Sequence, residues 1–231
     1  MAEQTPVTGL VFDKEGMIIL DGLKYIQPHR MPFIERGPLD AVRGIIIHQT
    51  GTATGQQVFN TYGNPHGGPE GGGPMGAHFL IDENGYIFQS ASVYRQTMHV
   101  GKIKARCLAE FRCDPTELPN LEKWTKKQMA KPIYDNEKDK APGDRYPMNE
   151  DSIGIEIVGL PENYKVKGKE KYGACSPIQQ TSLNWLMSRL KYSFGQTPIT
   201  EVFAHITIAW KSPGEGEAPL AAYKKTLAPG H

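Results

Sequence analysis

The sequence has no excess of charge of either sign: 26 Lys and Arg stand against 25 Asp and Glu, a formal net charge of +1 over 231 residues. No strong field gathers polyanions, so partners held by bulk charge, nucleic acid and anionic lipid among them, are disfavoured. No apolar run approaches the roughly 20 residues of a membrane-spanning helix. The first twenty residues, broken by Glu3, Asp13, Lys14 and Glu15, contain no apolar core of the signal-peptide kind. The expectation is a protein made in the cytoplasm without a cleavable leader and without membrane insertion. A target outside that compartment then has to be reached by a route other than the general secretory one. Cysteine is scarce and odd in number, Cys107, Cys113 and Cys175, which excludes a disulfide framework and leaves at least one thiol unpaired within a monomer. Cys107 and Cys113 suit either a bridge formed in an oxidising place or two free thiols.

Abundance lies instead in Gly and Pro, 25 and 18 residues, together well above the usual share of about 12%. Long loops over a compact scaffold follow. A hydrophobic content of 39% fills a real core and excludes disorder as the whole answer. There is no internal repeat. The run GIIIH at 44–48 reads as a strand buried on both faces, delivering His48 to a sheet edge. A short helix over 54–62 follows, with Thr54 as N-cap, and then a Gly-rich loop over 64–74. Residues 77–82 and 86–89, joined by a Glu-Asn-Gly turn, form a hairpin signal. Between 102 and 151 periodicity is lost, and the segment reads as an insertion or cover. SIGIEIVG at 152–159 alternates Ile153, Ile155 and Ile157 on one face with Glu156 on the other. Ser176 to Gln179 is a capping-box start with Pro at the first helical position, and the helix it opens is expected over 177–194. A strand at 201–205 and a helix at 217–227 complete an alternating α and β pattern.

His48 and His205 fall at the ends of expected strands, where a rigid backbone can aim two imidazoles at one point. Zinc takes such nitrogens together with carboxylate oxygens, leaving one position for water, and a nearby carboxylate can take that water's proton. Glu156 is the strand-borne acid available. It is either a solvated strand residue or an acid in a cleft, where desolvation would raise its pKa and make it a usable general base.

Five segments in order, IIIHQT (45–50), GAHFLIDENG (76–85), MHVG (98–101), SIGIEIVG (152–159) and AH (204–205) with Lys211 downstream, resemble the N-acetylmuramoyl-L-alanine amidase type 2 family. That family includes phage lysozyme-type amidases, bacterial anhydro-muropeptide amidases and peptidoglycan recognition proteins. The resemblance covers about residues 40–220 of a single domain, 1–231. It leaves an N-terminal extension, 1–39, and the 102–151 insertion unexplained. It implies an α/β fold: a mixed central β-sheet flanked by helices, with a zinc cleft along one edge, plus the loop-rich insertion. It also implies a peptidoglycan hydrolase that cuts the amide between N-acetylmuramic acid and the L-alanine of the stem peptide.

On that basis His48 and His205 match the two histidine ligands of Zn2+, Glu156 the general base, and Lys211 the cation that stabilises the developing oxyanion. Ala77 stands where other branches of the family carry a Tyr, which favours Glu156 as base. The third ligand departs from the pattern, since Pro213 occupies its place in simple register. Glu215 is the choice, with Ser212 and Glu217 as alternatives. His99 and His78 match histidines that line the cleft, His78 being equally a core histidine; His29, His66 and His231 carry no assigned role. Trp124, Tyr134 and Tyr146 either stack on sugars or anchor the insertion.

The rival readings are a non-catalytic peptidoglycan-binding module of the same fold and a zinc peptidase acting within the stem peptide. Peptidoglycan or muropeptides are the expected partners, and the expected place of action is the cell wall, reached in the periplasm by delivery outside the general secretory route. A phage endolysin, a recycling amidase and an antibacterial effector of a type VI-like machine all fit. The extra segments favour the exported roles, with an immunity protein or secretion machinery as further partners.

Overall fold

The computed structural model describes residues 9–19, 25–64, 73–195 and 197–227. His66, His231 and most of the Gly-rich loop expected at 64–74 lie outside them. In chain order the elements are β1 (Ile26–Pro28), a single 3-10 turn (Pro32–Ile34), β2 (Glu35–Pro38), β3 (Gly44–Gln49), α1 (Gly55–Tyr62), β4 (Phe79–Ile81), β5 (Ile87–Gln89) and β6 (Arg95–Thr97). The insertion then carries α2 (Arg106–Ala109), α3 (Leu118–Lys126) and α4 (Ala130–Glu137). The last elements are β7 (Ser152–Ile157), α5 (Pro177–Leu190), β8 (Glu201–Ala204), α6 (His205–Ile208) and α7 (Glu217–Leu227). Among the described residues no helix is long and apolar enough to cross a membrane.

The central sheet is mixed, in the order β1-β5-β4-β7-β3-β8. Only the β4–β5 hairpin pairs antiparallel; β1 with β5, β4 with β7, β7 with β3 and β3 with β8 are parallel. Strands β2 and β6 form a separate antiparallel ribbon. The three consecutive isoleucines of β3 divide between two layers, as a strand covered on both faces requires. Ile45 and Ile47 join Ile153, Ile155 and Ile157 of β7 against Leu183, Leu186, Met187 and Leu190 of α5. Ile46 points the other way, into a second cluster with Ile103, Leu121, Ile133, Tyr146, Met148 and Ile208. The insertion therefore covers the second face of the sheet. Cys107 and Cys113 are bonded to each other within it, and Cys175 is a half-buried free thiol. Tyr146 is buried against Phe203, and the Tyr134 hydroxyl donates to Glu150 at 2.6 Å. Of the two roles open to these aromatics, anchoring is the one their contacts serve.

Local chemistry sets the element ends. Thr54 caps α1 by accepting from the Gln57 N–H, and Ser176 and Gln179 form the reciprocal capping box of α5. Helix α5 stops at Leu190, four residues before the expected end. Beyond it the Lys191 carbonyl accepts from Ile199, and the Ser193 hydroxyl turns back to the Arg189 carbonyl while accepting from Leu10. The last strand also ends one residue early, at Ala204, and His205 opens α6.

Leu121 is fully buried in the second cluster, so Leu121→Ala should cost about 2–5 kcal/mol of stability. If the insertion is one unit with the sheet, that loss appears as a single shifted transition when denaturant unfolding is followed by circular dichroism and tryptophan fluorescence together. Two separated transitions, with the main one unmoved, would mark the insertion as an independent appendage.

Candidate metal centre

Parallel pairing of β3 with β7 sets His48 opposite Glu156, and Leu80 of β4 lies opposite Glu156 on its other side. His48 and Glu156 thereby share the sheet face away from α5, near the carboxyl ends of their strands. His205, directly after β8, joins them from the opposite flank of β3. The His48 and His205 Nδ1 atoms approach to 2.7 Å, and Glu215 Oε1 lies 2.7 Å from His205 Nδ1 and 3.9 Å from His48 Nδ1. All three residues are buried.

Glu215 arrives on a loop held by named bonds. Its N–H donates to the Ser212 carbonyl, and the Gly216 N–H donates to Gln49 Oε1 at 3.0 Å, while Gln49 Nε2 reaches the Gly173 carbonyl. Gly216 has φ +79° and lies so close to β3 that a Cβ there would sit 2.2 Å from the Ile47 carbonyl oxygen. Only glycine fits this crossing. Ser212 contributes its carbonyl to the turn, and Glu217 is exposed at the start of α7. Glu217 does not belong to the group of potential ligands formed by His48, His205 and Glu215 among the described residues.

The far side of each ring decides which nitrogen is bare. His205 Nε2 lies 2.7 Å from the Val100 carbonyl, an acceptor only, so Nε2 carries the hydrogen and Nδ1 the lone pair. The Ser152 hydroxyl donates to the Met148 carbonyl and can therefore only accept from His99 Nε2, 3.3 Å away. His99 Nδ1 is then an acceptor for His48 Nε2–H at 3.1 Å, and His48 Nδ1 is bare as well. Burial is the main cause that holds the pKa of His48, His99 and His205 below that of free imidazole, so the rings are neutral at neutral pH. Two lone pairs and a carboxylate oxygen thus face one another with no hydrogen between them. Such a set calls for a cation, and two imidazole nitrogens with one carboxylate oxygen suit zinc.

Glu156 Oε2 is shielded from solvent and has no hydrogen-bond partner among the described residues. Desolvation, then the charge of Glu215, push the Glu156 pKa up to about 8, against the attraction of Lys211. Lys211 is exposed at the rim, its ammonium beside Gly101. A cavity of about 290 Å³ opens there, lined by Met75, Met98, His99, Lys102, Trp210 and Lys211 among others. His99 thus faces both the cavity and His48. His78 does not reach the cavity: it is completely buried, its Nε2 donates to the Arg95 carbonyl and its Nδ1 accepts from the Gly154 N–H. No nitrogen is left for a ligand, which is the core-histidine alternative. His29 stacks on Phe59. Gln49, Ser152 and Asn149, whose side chain holds the backbone of residues 99 and 100, were not singled out by sequence reasoning; an amide or hydroxyl that serves backbone groups leaves no spacing signal.

The family model for N-acetylmuramoyl-L-alanine amidase matches residues 38–226. The chain belongs to that amidase family. No curated protein sequence matches it. Among solved structures, a selenomethionine derivative of AmpD superposes with a TM-score of 0.53 at 17% identity, covering 94% of this chain and 98% of that one. This likeness shows a shared amidase fold. The endolysin amidase LysCS of Clostridium intestinale URNW gives 0.45 at 19% identity over 87% and 95% of the two chains, and AmpDh3 of Pseudomonas aeruginosa gives 0.49 at 17% over 91% and 66%.

The raised pKa of Glu156 has a measurable consequence in chelator-treated protein. Below about pH 4.5, the ordinary carboxyl value, Glu156 is protonated whether the chain is folded or not. Between there and about pH 8 the folded state keeps a proton that the unfolded state has lost, so stability declines as pH rises and levels off above about 8. Glu156→Gln lacks this decline. Its thermal midpoint relative to the parent should climb steadily from pH 5 to pH 8; a difference independent of pH would mean that Glu156 titrates normally.

Proposed function

We propose that the chain is a zinc-dependent hydrolase of peptidoglycan that cleaves the amide between the lactyl group of N-acetylmuramic acid and the L-alanine of the stem peptide, acting on the cell wall or on muropeptides. The observation that carries this reading is the buried meeting of three hydrogen-free donor atoms on His48, His205 and Glu215, with the unpartnered carboxylate of Glu156 on the adjacent strand. Family membership supports it.

His48, His205 and Glu215 would hold the ion. A bound zinc supplies Lewis acidity to the scissile carbonyl and to a water molecule. Glu156 accepts the proton of the attacking water and returns it to the departing alanine nitrogen. Its pKa of about 8 in the metal-free site falls when a cation sits nearby, which brings the base toward neutrality. Lys211, whose charge reaches His48, His205 and Glu156, offsets the negative charge that develops on the carbonyl oxygen. The presence of Glu215 beside the histidines favours the catalytic reading over a binding module with an incomplete site.

Dialysed protein should hold about one zinc per chain, and chelation should stop the release of intact stem peptides from sacculi. Mass analysis separates these products from the shortened peptides that a stem-peptide peptidase would leave. Glu156→Gln should retain zinc while turnover falls by a factor on the order of 10² to 10⁴; full activity would assign the base elsewhere.

For the third ligand, Glu215→Ala should lose zinc on dialysis, whereas Ser212→Ala keeps it. Stoichiometric metal in Glu215→Ala would reduce Glu215 to a residue that orients water or substrate.

A further inference from the structure

We infer that Asn149 is a positioning residue for the metal centre: its side-chain oxygen clamps the backbone of His99 and Val100, and so sets the orientation of both His205 and His48. The inference rests on the zinc-hydrolase reading of the site. Asn149 Oδ1 accepts two hydrogen bonds, from the His99 N–H at 3.0 Å and from the Val100 N–H at 2.9 Å. The two clamped residues each serve one candidate ligand. The Val100 carbonyl accepts from His205 Nε2, and the His99 ring accepts from His48 Nε2. One amide oxygen therefore holds the segment whose carbonyl and ring serve the two imidazoles, and so where each bare nitrogen points.

The clamp is itself fixed. Asn149 lies in a turn in which the Met148 N–H donates to Asp151 Oδ1, the Asp151 N–H to the Met148 carbonyl, and the Ser152 hydroxyl to the same carbonyl. Arg145 pairs with Asp151 through both carboxylate oxygens, at 2.8 and 3.3 Å. The Asp151 carbonyl accepts from the N–H groups of Arg43 and Gly44, tying the turn to the start of β3. On the ligand side Gly154 leaves room for the His99 ring to lie against β7; a Cβ there would stand 2.8 Å from ring atoms. The 99–100 segment thus has a floor, and Asn149 Oδ1 is the tether that its two backbone N–H groups share. Without the tether two buried N–H groups lose their acceptor, and the segment shifts to find another. Outer partners of metal-ligating histidines fix tautomer and ring angle, and their loss typically costs 10- to 100-fold in metal affinity or activity.

The test compares Asn149→Ala with Asn149→Asp in the full chain. Asp keeps an oxygen at the same reach for the two N–H groups, loses the amide contact to Met98 Sδ at 3.6 Å and adds a negative charge that those N–H groups receive. Zinc affinity is measured by competition with a chromophoric chelator, the ligand field by the visible absorption of the cobalt-substituted protein, and the His205 tautomer by ring nitrogen shifts in metal-free protein. Asn149→Ala should bind zinc about 10- to 100-fold more weakly, with an altered cobalt spectrum and loss of the single Nε2–H form of His205. Asn149→Asp should match the parent in all three.

Parent-like affinity and spectrum in Asn149→Ala overturn the inference. If that variant does not fold, Asn149→Asp decides: a folded Asp variant with tenfold weaker zinc binding overturns it, and parent-like binding supports it. A parent chain that binds no zinc removes the hydrolase reading and the inference with it, whereas a zinc-binding parent matched by Asn149→Ala removes the inference alone.

Discussion

Three electron-rich atoms brought together in a buried place, with no hydrogen among them, are the constraint on which this structure turns. Nδ1 of His48, Nδ1 of His205 and Oε1 of Glu215 meet at separations of 2.7 to 3.9 Å. Burying a carboxylate and two bare imidazole nitrogens without a positive charge costs several kcal/mol. No single element could impose such a meeting. The parallel pairing of β3 with β8 brings His48 and His205 to one edge, and that of β3 with β7 sets Glu156 beside them. The 212–216 loop then closes over that edge through Gln49 and the bare α-carbon of Gly216. The isoleucine layers beneath are the reason that the edge is stiff enough to hold the atoms where they repel.

Four histidines in one neighbourhood separate into roles by what the second nitrogen meets. His78 gives one nitrogen to a carbonyl and the other to a backbone N–H, so the ring is spent as a brace between β7 and the start of β6. His205 gives one nitrogen to a carbonyl and keeps the other bare. His48 does the same at one remove, through His99 and the Ser152 hydroxyl. Residue type and burial are alike in all four, and only the hydrogen-bond direction distinguishes a brace from a ligand. The same logic bears on Glu156, whose unpartnered oxygen would be a defect in an ordinary core and suits the base proposed for it.

Much of this was legible in the sequence where hydrophobic pattern and residue chemistry coincide. The isoleucines of 45–47 and 153–157 mark two strands, which set His48 at a sheet edge and Glu156 on the face opposite Ile153, Ile155 and Ile157, and leave open whether that face is solvent or cleft. Ser176 and Gln179 marked the start of α5. Its end was hidden, because the stop comes from tertiary bonds of Lys191 and Ser193 that no local pattern announces. Glu215 could be chosen only as the nearest carboxylate on its loop; what delivers it is a backbone crossing with positive φ at Gly216, invisible until the loop is folded. Helices α2, α3 and α4 went unassigned because they lack the capping side chain that marks the equally short α1, and each is held by burial of one or two side chains such as Leu121 and Ile133.

Those helices bear on the site more than their distance from it suggests. The second face of the sheet carries both Ile46, packed against the insertion, and His48, two residues further along the same strand face. The insertion ends in the turn of Met148, Asn149 and Asp151 that leads directly into β7, and Arg145 locks that turn. Residues without counterparts in the five motifs therefore pack against Val100 and hold the backbone of His99. The motifs supply the direct partners of the rings, Val100, His99 and Ser152, whereas Asn149 and the turn that holds it come from the insertion. The insertion, read from the sequence as a cover, is for that reason continuous with the metal centre: its apolar interior fixes the turn, the turn fixes two backbone N–H groups, and these fix the histidines.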